Sequence, residues 1–350
     1  MDRHALGRGW VVVLLAVALA ALPMGGVVAH AHGPVTVERL GGASRFETAV
    51  AVSKATFARS YDVWLARGDL FPDALAASFP SGKTNGGGPL LLTPTDRLHP
   101  AARAEILRLR AERVFILGSS SAVSATVEAE LRDLGLDTRR VSGRDRYDTA
   151  ARAFALNPET FGVAFVVTGA AFADALAAGP LAFALARPIL LTPPDRLHED
   201  TEAALRSQGI SEVVVVGGTG AVSEAVADEI RAICSASEPE RCITVRRIGG
   251  RTRVETAALL ADEFVESVGA PSHVNLARGD EFADAAAGGP HGGREEAPIL
   301  LTVNPDHLGA ATRLWLEEHA ATVNGLHVLG TEGAISRKVV EAARAAATAQ

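Results

Sequence analysis

The sequence is poor in cysteine, in lysine and in the motifs of common hydrolases. It has 2 cysteines and only three lysines, Lys54, Lys83 and Lys338, so arginine supplies almost all of its positive charge. It contains no G-x-S-x-G motif, no His/Glu cluster of the metal-hydrolase type and no candidate cysteine nucleophile. We therefore predict no catalytic residues, no resident metal ion and no cofactor.

A positive net charge is also lacking. The chain carries 34 basic and 41 acidic side chains, a formal net charge of −7. An acidic chain argues against nucleic acid as a partner. It also opposes long-range attraction of a polyanion, so a polyanionic ligand would need local clusters of arginine.

Only the N-terminal segment contains a long apolar run. Arg3 and Arg8 precede the run from Val11 to Leu22, and Ala29-His30-Ala31 follows as a small-x-small cleavage site. This pattern predicts a secretory signal peptide over residues 1–31. The run is too short to span a bilayer, and no cysteine follows it to accept a lipid. The sequence thus predicts export without a stable membrane anchor.

The two cysteines bracket a polar loop. Cys234 and Cys242 flank S-A-S-E-P-E-R, between a helix-like stretch and an apolar strand. In an exported protein two cysteines placed in this way predict one disulfide. Zinc binding is the weaker alternative, because only two thiols are present and no histidine lies beside them.

Four short lines of sequence recur in the same order in three copies. The first reads R-L-G-G-A-S-R-F-E-T-A, R-V-S-G-R-D-R-Y-D-T-A and R-I-G-G-R-T-R-V-E-T-A, and the second centres on F-P-D-A-L, F-A-D-A-L and F-A-D-A-A. The third contains P-L-L-L-T or P-I-L-L-T, and the fourth begins at a glycine. These glycines are Gly118, Gly217 and Gly330. Ordered recurrence with a period of about 100 residues indicates a tandem repeat protein.

Each copy alternates short apolar runs with amphipathic helical patterns. Uninterrupted apolar strands separated by helices are typical of parallel sheets covered on both faces. We predict an α/β fold of three similar open, Rossmann-like modules over residues 35–140, 141–246 and 247–350. The sequence leaves open whether the edge strand of one module completes the sheet of its neighbour.

The four lines resemble the cell wall-binding repeat 2 family, which occurs as tandem triplets on secreted Gram-positive surface proteins. The Ala/Arg-rich composition favours a GC-rich, actinobacterial source. The resemblance implies a compact pseudo-threefold arrangement of the modules. It also implies a non-covalent anchor to anionic wall polymers, either a secondary polysaccharide or a teichoic-acid-like chain. Peptidoglycan is a further partner that it allows.

Recurring arginines are the first candidates for contact with such a polymer. Arg45, Arg146 and Arg253 lie in the first turn of a predicted helix, where the helix dipole disfavours positive charge. Something should compensate for each of them. One interpretation is a salt bridge to a recurring acid, and the other is a guanidinium fork that accepts a phosphate or carboxylate.

Aspartates and threonines complete the candidate set. Each aspartate stands at the start of a helix, where a cap is the structural alternative to a ligand contact. Each threonine ends a buried strand, at the edge where α/β sheets usually bind ligands. These residues are Asp73, Asp174, Asp284, Thr93, Thr192 and Thr302. His99 and His198 lie at the starts of the helices that follow Thr93 and Thr192. Metal binding by these two histidines is the weaker interpretation.

Three classes of function remain open at this level. A binding module fits best, because three related sites can together hold a repetitive polymer more tightly than any single one. A wall-polymer hydrolase, of amidase or glycosidase type, would need a site between modules and a paired acid. Asp69 in the first copy and Asp280 in the third correspond to Ala170 in the second, so the paired acid does not recur in every copy. A self-assembling surface-layer protein is the third alternative.

Overall fold

Strands and helices alternate along the whole described chain. The computed structural model describes residues 34–75, 82, 87–156, 162–207, 209–235 and 238–349, and the predicted signal peptide lies outside them. In the first repeat the elements are β1 (Thr36–Leu40), α1 (Arg45–Thr56), β2 (Asp62–Arg67), α2 (Pro72–Leu75), β3 (Leu90–Thr93), α3 (Pro100–Leu109), β4 (Arg113–Leu117) and α4 (Ala125–Asp133).

The later repeats follow the same order of elements. In the second they are β5 (Asp137–Val141), α5 (Arg146–Ala155), β6 (Val163–Thr168), α6 (Ala173–Ala184), β7 (Ile189–Thr192), α7 (Glu199–Ser207), β8 (Glu212–Val216) and α8 (Glu224–Arg231). In the third they are β9 (Thr244–Ile248), α9 (Arg253–Ser267), β10 (His273–Arg278), α10 (Gly288–Arg294), β11 (Ile299–Thr302), α11 (Ala310–Glu318), β12 (Gly325–Leu329) and α12 (Arg337–Ala346).

These strands form three parallel four-stranded sheets, which confirms the predicted α/β fold. The strand orders are β3-β2-β4-β5, β7-β6-β8-β9 and β11-β10-β12-β1. Each sheet thus takes three strands from one repeat and its last strand from the opening line of the next. The third sheet is completed by the N-terminal strand β1, which pairs with β12 from Thr36↔Gly325 to Leu40↔Leu329.

This exchange of strands closes the three repeats into a ring. The sequence left the exchange open, and the structure shows it at every junction. The predicted module boundaries at 140/141 and 246/247 fall inside β5 and β9. Those boundaries divide the sequence, whereas each folded sheet spans two successive repeats.

The central strands form the core because they are covered on both faces. All four residues of β3, β7 and β11 are buried, as their uninterrupted apolar runs predict. One hydrophobic cluster contains buried residues of all three repeats, including Trp64, Phe165 and Ala277. The repeats therefore share a core, and Gly33–Gln350 forms one compact unit.

Helix caps fix the start of the helix in each opening line. The side chains of Ser44, Asp145 and Thr252 accept hydrogen bonds from backbone N–H groups in the first turns of α1, α5 and α9. The acid three residues later turns back toward the cap. The backbone N–H of Arg251 donates to Glu255 Oε2 at 2.7 Å.

The predicted disulfide is present. Cys234 and Cys242 are bonded to each other and also form an isolated antiparallel bridge. The loop that they close precedes β9, so it lies at the amino-terminal edge of the second sheet. No helix in the described ranges is long and apolar enough to cross a membrane.

Candidate functional site

Three of the four recurring lines meet at the carboxyl edge of each sheet. In the first sheet the chain leaves β2 for β3 on one side and then returns to β4 on the other side of β2. The loops after β2 and β4 therefore diverge, which makes the crevice where open α/β sheets bind ligands. The second line follows β2 and the fourth follows β4. The opening line of the next repeat follows β5 at the same edge.

A half-buried aspartate lies in each crevice against the glycine of the fourth line. A Cβ atom on Gly118 would lie 2.5 Å from Asp73 Oδ2, and one on Gly217 would lie 2.5 Å from Asp174 Oδ2. The corresponding distance from Gly330 to Asp284 Oδ2 is 2.6 Å. The three glycines also have φ angles of 89°, 103° and 99°, which favour glycine. Close approach and backbone geometry together explain why glycine recurs here.

The aspartates do not act as ordinary helix caps. The N-cap of α6 is Phe172, which makes no side-chain capping hydrogen bond, and Asp174 lies inside the first turn. The cap interpretation from the sequence is therefore wrong at Asp174. Burial raises the pKa of all three carboxyl groups, and the positive charge of nearby arginines opposes that rise.

Arg67 opposes the rise at Asp73 and Arg278 opposes it at Asp284, and at every aspartate an arginine of the next repeat contributes as well. Arg146 acts on Asp73 and Arg253 acts on Asp174. Arg45 of the first repeat acts on Asp284 of the third, and Thr48 also donates a hydrogen bond to that carboxyl group. The same relation thus recurs around the closed ring.

These arginines are held by backbone carbonyl groups. The Nη1 atoms of Arg45, Arg146 and Arg253 donate to the carbonyl oxygens of Gly68, Gly169 and Gly279, at 2.6, 2.5 and 2.5 Å. Arg45 also pairs with Glu281 at 3.2 Å. Within the described ranges, no ion pair joins the three arginines to Asp73, Asp174 or Asp284. The structural partner of each guanidinium is therefore a carbonyl group, which the sequence did not indicate.

Each of these guanidinium groups also lies over a phenylalanine of the preceding repeat. Their Cζ atoms are 5.8 Å from the ring centroids of Phe282, Phe71 and Phe172, in the order Arg45, Arg146 and Arg253. The three rings contact one another, with centroid separations of 5.7, 5.9 and 6.1 Å. This phenylalanine triangle marks the pseudo-threefold axis.

Sequence analysis did not single out these phenylalanines. The signal was present, because a phenylalanine stands two residues before the aspartate in every copy of the second line. Aromatic pairs at this separation contribute about 0.5–1.5 kcal/mol beyond the area that they bury. The triangle therefore holds the three crevices in a fixed relation to one another.

The crevice between the second and third repeats opens into a groove of about 470 Å³. Its lining includes Phe71, Ala170, Asp174, Gly218, Arg251 and Arg253. The Arg251 side chain is 91% exposed and is 3.3 Å from Glu255. Because α9 begins at Arg253, two guanidinium groups border the groove beside the start of a helix.

The mouth of this groove differs from the equivalent places in the other repeats. There Asp69 and Asp280 stand where the groove has Ala170. Their carboxylates are held by Arg67 and Arg278, with N–O distances of 2.6–2.8 Å. The second repeat lacks both members of this pair, so its groove carries no carboxylate at that position.

The recurring threonines are not brought into the groove lining. Thr93 Oγ1 donates to the Arg97 carbonyl and accepts from the His99 N–H, so it ties the turn after β3. Thr192 makes the same two hydrogen bonds after β7. Thr302 is buried and has no hydrogen-bond partner among the described residues, since the third repeat has lost the D-R-L-H turn.

Among the described residues, one group of three His, Cys, Asp or Glu side chains is close enough to hold a metal ion, and it consists of Asp145, His198 and Asp200. The ring of His198 lies between the two carboxylates, at 3.4 and 3.5 Å. However, its Nδ1 accepts the Asp200 backbone N–H, and Arg144 pairs with Asp200 at 2.7 Å. His198 therefore serves as a cap at the start of α7, and His99 does the same for α3.

A known protein family matches this chain three times, once for each repeat. The model of cell wall binding domain 2 matches residues 39–128, 140–227 and 247–340, which cover most of the chain. The chain belongs to the cell wall binding domain 2 family. Each match begins at the first arginine of an opening line.

Relatives and solved structures extend this assignment. The chain is 29% identical over 304 residues to the N-acetylmuramoyl-L-alanine amidase LytC of Bacillus subtilis, covering 87% of this chain and 57% of LytC. It is also 29% identical over 302 residues to the Bacillus subtilis amidase enhancer, covering 86% of this chain and 39% of the relative. The chain thus spans roughly half the length of these relatives or less.

Two structures from Clostridium difficile share the fold. Cwp8 superposes with a TM-score of 0.78 at 29% identity, covering 89% of this chain and 52% of Cwp8. Cwp6 superposes with a TM-score of 0.77 at 24% identity, covering 91% of this chain and 48% of Cwp6. Membership of this family supports cell-wall binding as the general function.

Proposed function

We propose that this secreted protein attaches itself non-covalently to the cell wall by binding an anionic wall polymer in the grooves between its repeats. The observation that carries the proposal is the groove between the second and third repeats. It places Arg251 and Arg253 at the start of a helix and has no carboxylate at Ala170.

Local charge allows an acidic protein to bind an acidic polymer. The whole chain carries a net charge of −7, which opposes approach over long distances. Inside the groove the balance is different, because two permanently charged arginines, Arg251 and Arg253, line it together with one carboxyl group, that of Asp174. Phosphate or carboxylate groups of a polymer would be recognised here at short range.

The three binding positions are unequal. Arg251 is widely exposed at the second junction, whereas its counterpart Arg144 pairs with Asp148 and Asp200. The third counterpart is Ala43, which has no charge. The groove between the second and third repeats is therefore the principal site in this proposal. The other two add avidity along a repetitive chain.

Binding without catalysis is part of the proposal. A glycosidase of the usual kind needs two carboxyl groups flanking the bond that is cleaved. The recurring acids Asp69 and Asp280 are already engaged by arginines, and the second repeat has alanine instead. A hydrolase site built on these acids would thus have to differ among the three copies.

Co-sedimentation with purified walls tests the function. The protein is mixed with walls before and after acid removal of the phosphate-linked secondary polymers, at low and at high salt. Binding that is lost on removal and weakened by salt is the expected result, since exposed charges are screened within about 8–10 Å at physiological salt. Unchanged binding to stripped walls would identify peptidoglycan as the ligand instead. Release of sugar fragments would indicate hydrolysis, and large particles without walls would indicate self-assembly.

A further inference from the structure

Three apolar core positions of the second repeat are occupied by polar residues in the third. Phe165 pairs with Val214 across the second sheet, and Asn275 pairs with His327 in the same register across the third. Leu181 lies seven residues before Pro188, and His291 lies seven residues before Pro298. Asn275, His291 and His327 therefore replace phenylalanine, leucine and valine.

This polar group is buried and incompletely satisfied. Asn275 is fully buried and His291 is only 1% exposed. Asn275 Nδ2 donates to the Ala297 carbonyl at 2.8 Å, but its Oδ1 has no hydrogen-bond partner within the described part of the chain. A buried amide oxygen without a partner carries a free-energy cost of desolvation. An apolar triplet in the same fold avoids that cost, so the polar triplet calls for a ligand.

The hydrogen bonds around His291 determine which ring nitrogen carries the proton. Thr56 Oγ1 donates its proton to the Val52 carbonyl at 2.7 Å, so it must accept from His291 Nδ1, which is also 2.7 Å away. With its proton on Nδ1, the neutral His291 ring presents a lone pair at Nε2.

The lone pair of His291 faces a second histidine. Its Nε2 accepts a hydrogen bond from His327 Nδ1 at 3.2 Å, and an ion between the two nitrogens would take the place of that proton. Two nitrogens bound to one tetrahedral zinc ion at about 2.0–2.1 Å would be about 3.3 Å apart. Asn275 lies beside His327 on the adjacent strand, and its unpartnered Oδ1 is an additional donor in the same buried layer.

We propose that the third repeat binds one divalent transition-metal ion of the imidazole-preferring class, Zn²⁺, Ni²⁺ or Cu²⁺, through His291 Nε2, His327 Nδ1 and Asn275 Oδ1. Thr56 positions the His291 ring through Nδ1, in the way that metal-bound histidines are usually held by their second nitrogen. Because Thr56 is on α1 and His327 is on β12, the ion would tie the first repeat to the third, where β1 closes the ring.

The side of the cluster nearest to solvent lies beside β1. The His327 side chain is 13% exposed, and its Nε2 is 3.9 Å from the carboxylate of the largely exposed Glu38. The His273 ring stacks on His327 with a centroid separation of 5.0 Å and covers one side of the cluster. A cation arriving from solvent thus meets a negative charge first and the imidazole pair next.

Copper titration followed by electron paramagnetic resonance tests the proposal. The protein is purified without a histidine tag, treated with chelator and titrated with Cu²⁺. The expected spectrum shows nitrogen hyperfine splitting from two imidazoles and saturates at one ion per chain. The variants His327→Val and His291→Leu carry the residues of the second repeat, and each should lose this signal.

Two further variants separate a built site from surface binding. His307→Gln removes an exposed histidine of the third repeat and should leave the signal intact. Thr56→Val should weaken binding by about 10-fold or more, because it removes the partner of His291. Absence of binding at micromolar copper would overturn the proposal. Binding that survives both His327→Val and His291→Leu would overturn it as well. Circular dichroism checks that each variant is folded, and if His291→Leu is not, His327→Val decides.

Discussion

Replacement of Arg253 by methionine separates the structural role of the recurring arginines from a role in ligand binding. The guanidinium donates to the Gly279 carbonyl at 2.5 Å and lies 5.8 Å from the Phe172 centroid. A hydrogen bond from a charged donor contributes about 1.5–3 kcal/mol, and a cation–π contact at an exposed site contributes about 0.5–1 kcal/mol. Because Arg253 is exposed, we take the lower end of each range.

The expected loss of stability for Arg253→Met is therefore about 2 kcal/mol. The matched control is Arg251→Met, two residues away, whose widely exposed side chain pairs only with Glu255 among the described residues. A change of less than about 0.5 kcal/mol is expected for that control. Thermal unfolding by circular dichroism should show a lower melting temperature for Arg253→Met, by about 3–6 °C, and almost no change for Arg251→Met.

Equal stability of Arg253→Met and the wild-type protein would refute the structural account of the arginines. In a second measurement, wall binding of Arg253→Met and Arg251→Met is compared with wild type at 25 °C, where both variants are expected to be folded. Arg241→Met serves as the binding control, since Arg241 lies in the disulfide loop at the opposite edge of the second sheet. Reduced wall binding by Arg251→Met, with stability unchanged and Arg241→Met unaffected, would assign the exposed arginine to the polymer.

Three further predictions concern the ring, the disulfide and the carboxyl group of Asp174. Leu40→Ala, at the end of β1, should lower the free energy of unfolding by about 2–5 kcal/mol, measured by denaturant unfolding. An unfolding free energy equal to that of the wild type would show that β1 does not close the ring. The double variant Cys234→Ser/Cys242→Ser should have an unfolding free energy about 2.5 kcal/mol lower, because the lost disulfide joins cysteines with a sequence separation of 8. The same denaturant unfolding measures this difference, and wall binding should be retained. The pKa of Asp174 is raised by burial, so the folded state holds its proton more tightly than the unfolded state. The stability from this group is therefore full below about pH 4 and is lost as the pH rises through the folded-state pKa. Asp174→Asn should remove that pH dependence and strengthen binding to an anionic polymer at pH 7, whereas weaker binding would mean that the carboxylate accepts hydroxyl groups of a neutral sugar.

Much of the fold could be predicted because its signals are local. The apolar runs at Leu90, Ile189 and Ile299 predict buried parallel strands, and the structure confirms them at the predicted places. The predicted export of the chain, with the placement of Cys234 and Cys242, likewise predicts their disulfide. Pattern and spacing within one repeat contain enough information for these elements.

The ring closure could not be predicted in the same way. The partner of β1 is β12, almost 300 residues away in the chain, and nothing in the sequence T-V-E-R-L names that partner. The same limit applies to the arginines. A guanidinium in the first turn of a helix requires compensation, but a backbone carbonyl such as that of Gly169 has no sequence signature.

The polar layer in the third repeat was missed for a different reason. His291 and His327 are 36 residues apart in the sequence, and Asn275 is not a residue that indicates a metal site on its own. Their juxtaposition follows from the register of β10 and β12 and from the packing of α10. Comparison with Phe165 and Val214 of the second repeat would have shown that two of these positions are normally apolar.

The most direct test of the central claim places a negative charge in the principal groove. Ala170→Asp restores the acid found in the first and third repeats, but Thr168 stands where the pairing arginine would be. The unpaired carboxylate should repel a phosphate or carboxylate group by about 1 kcal/mol, which is about a fivefold loss of affinity. Calorimetric titration with a short fragment of the purified wall polymer measures this value. A loss of about this size, with unchanged folding stability, is the result that we predict. Equal affinity of Ala170→Asp and wild type would show that the anionic polymer does not bind in this groove.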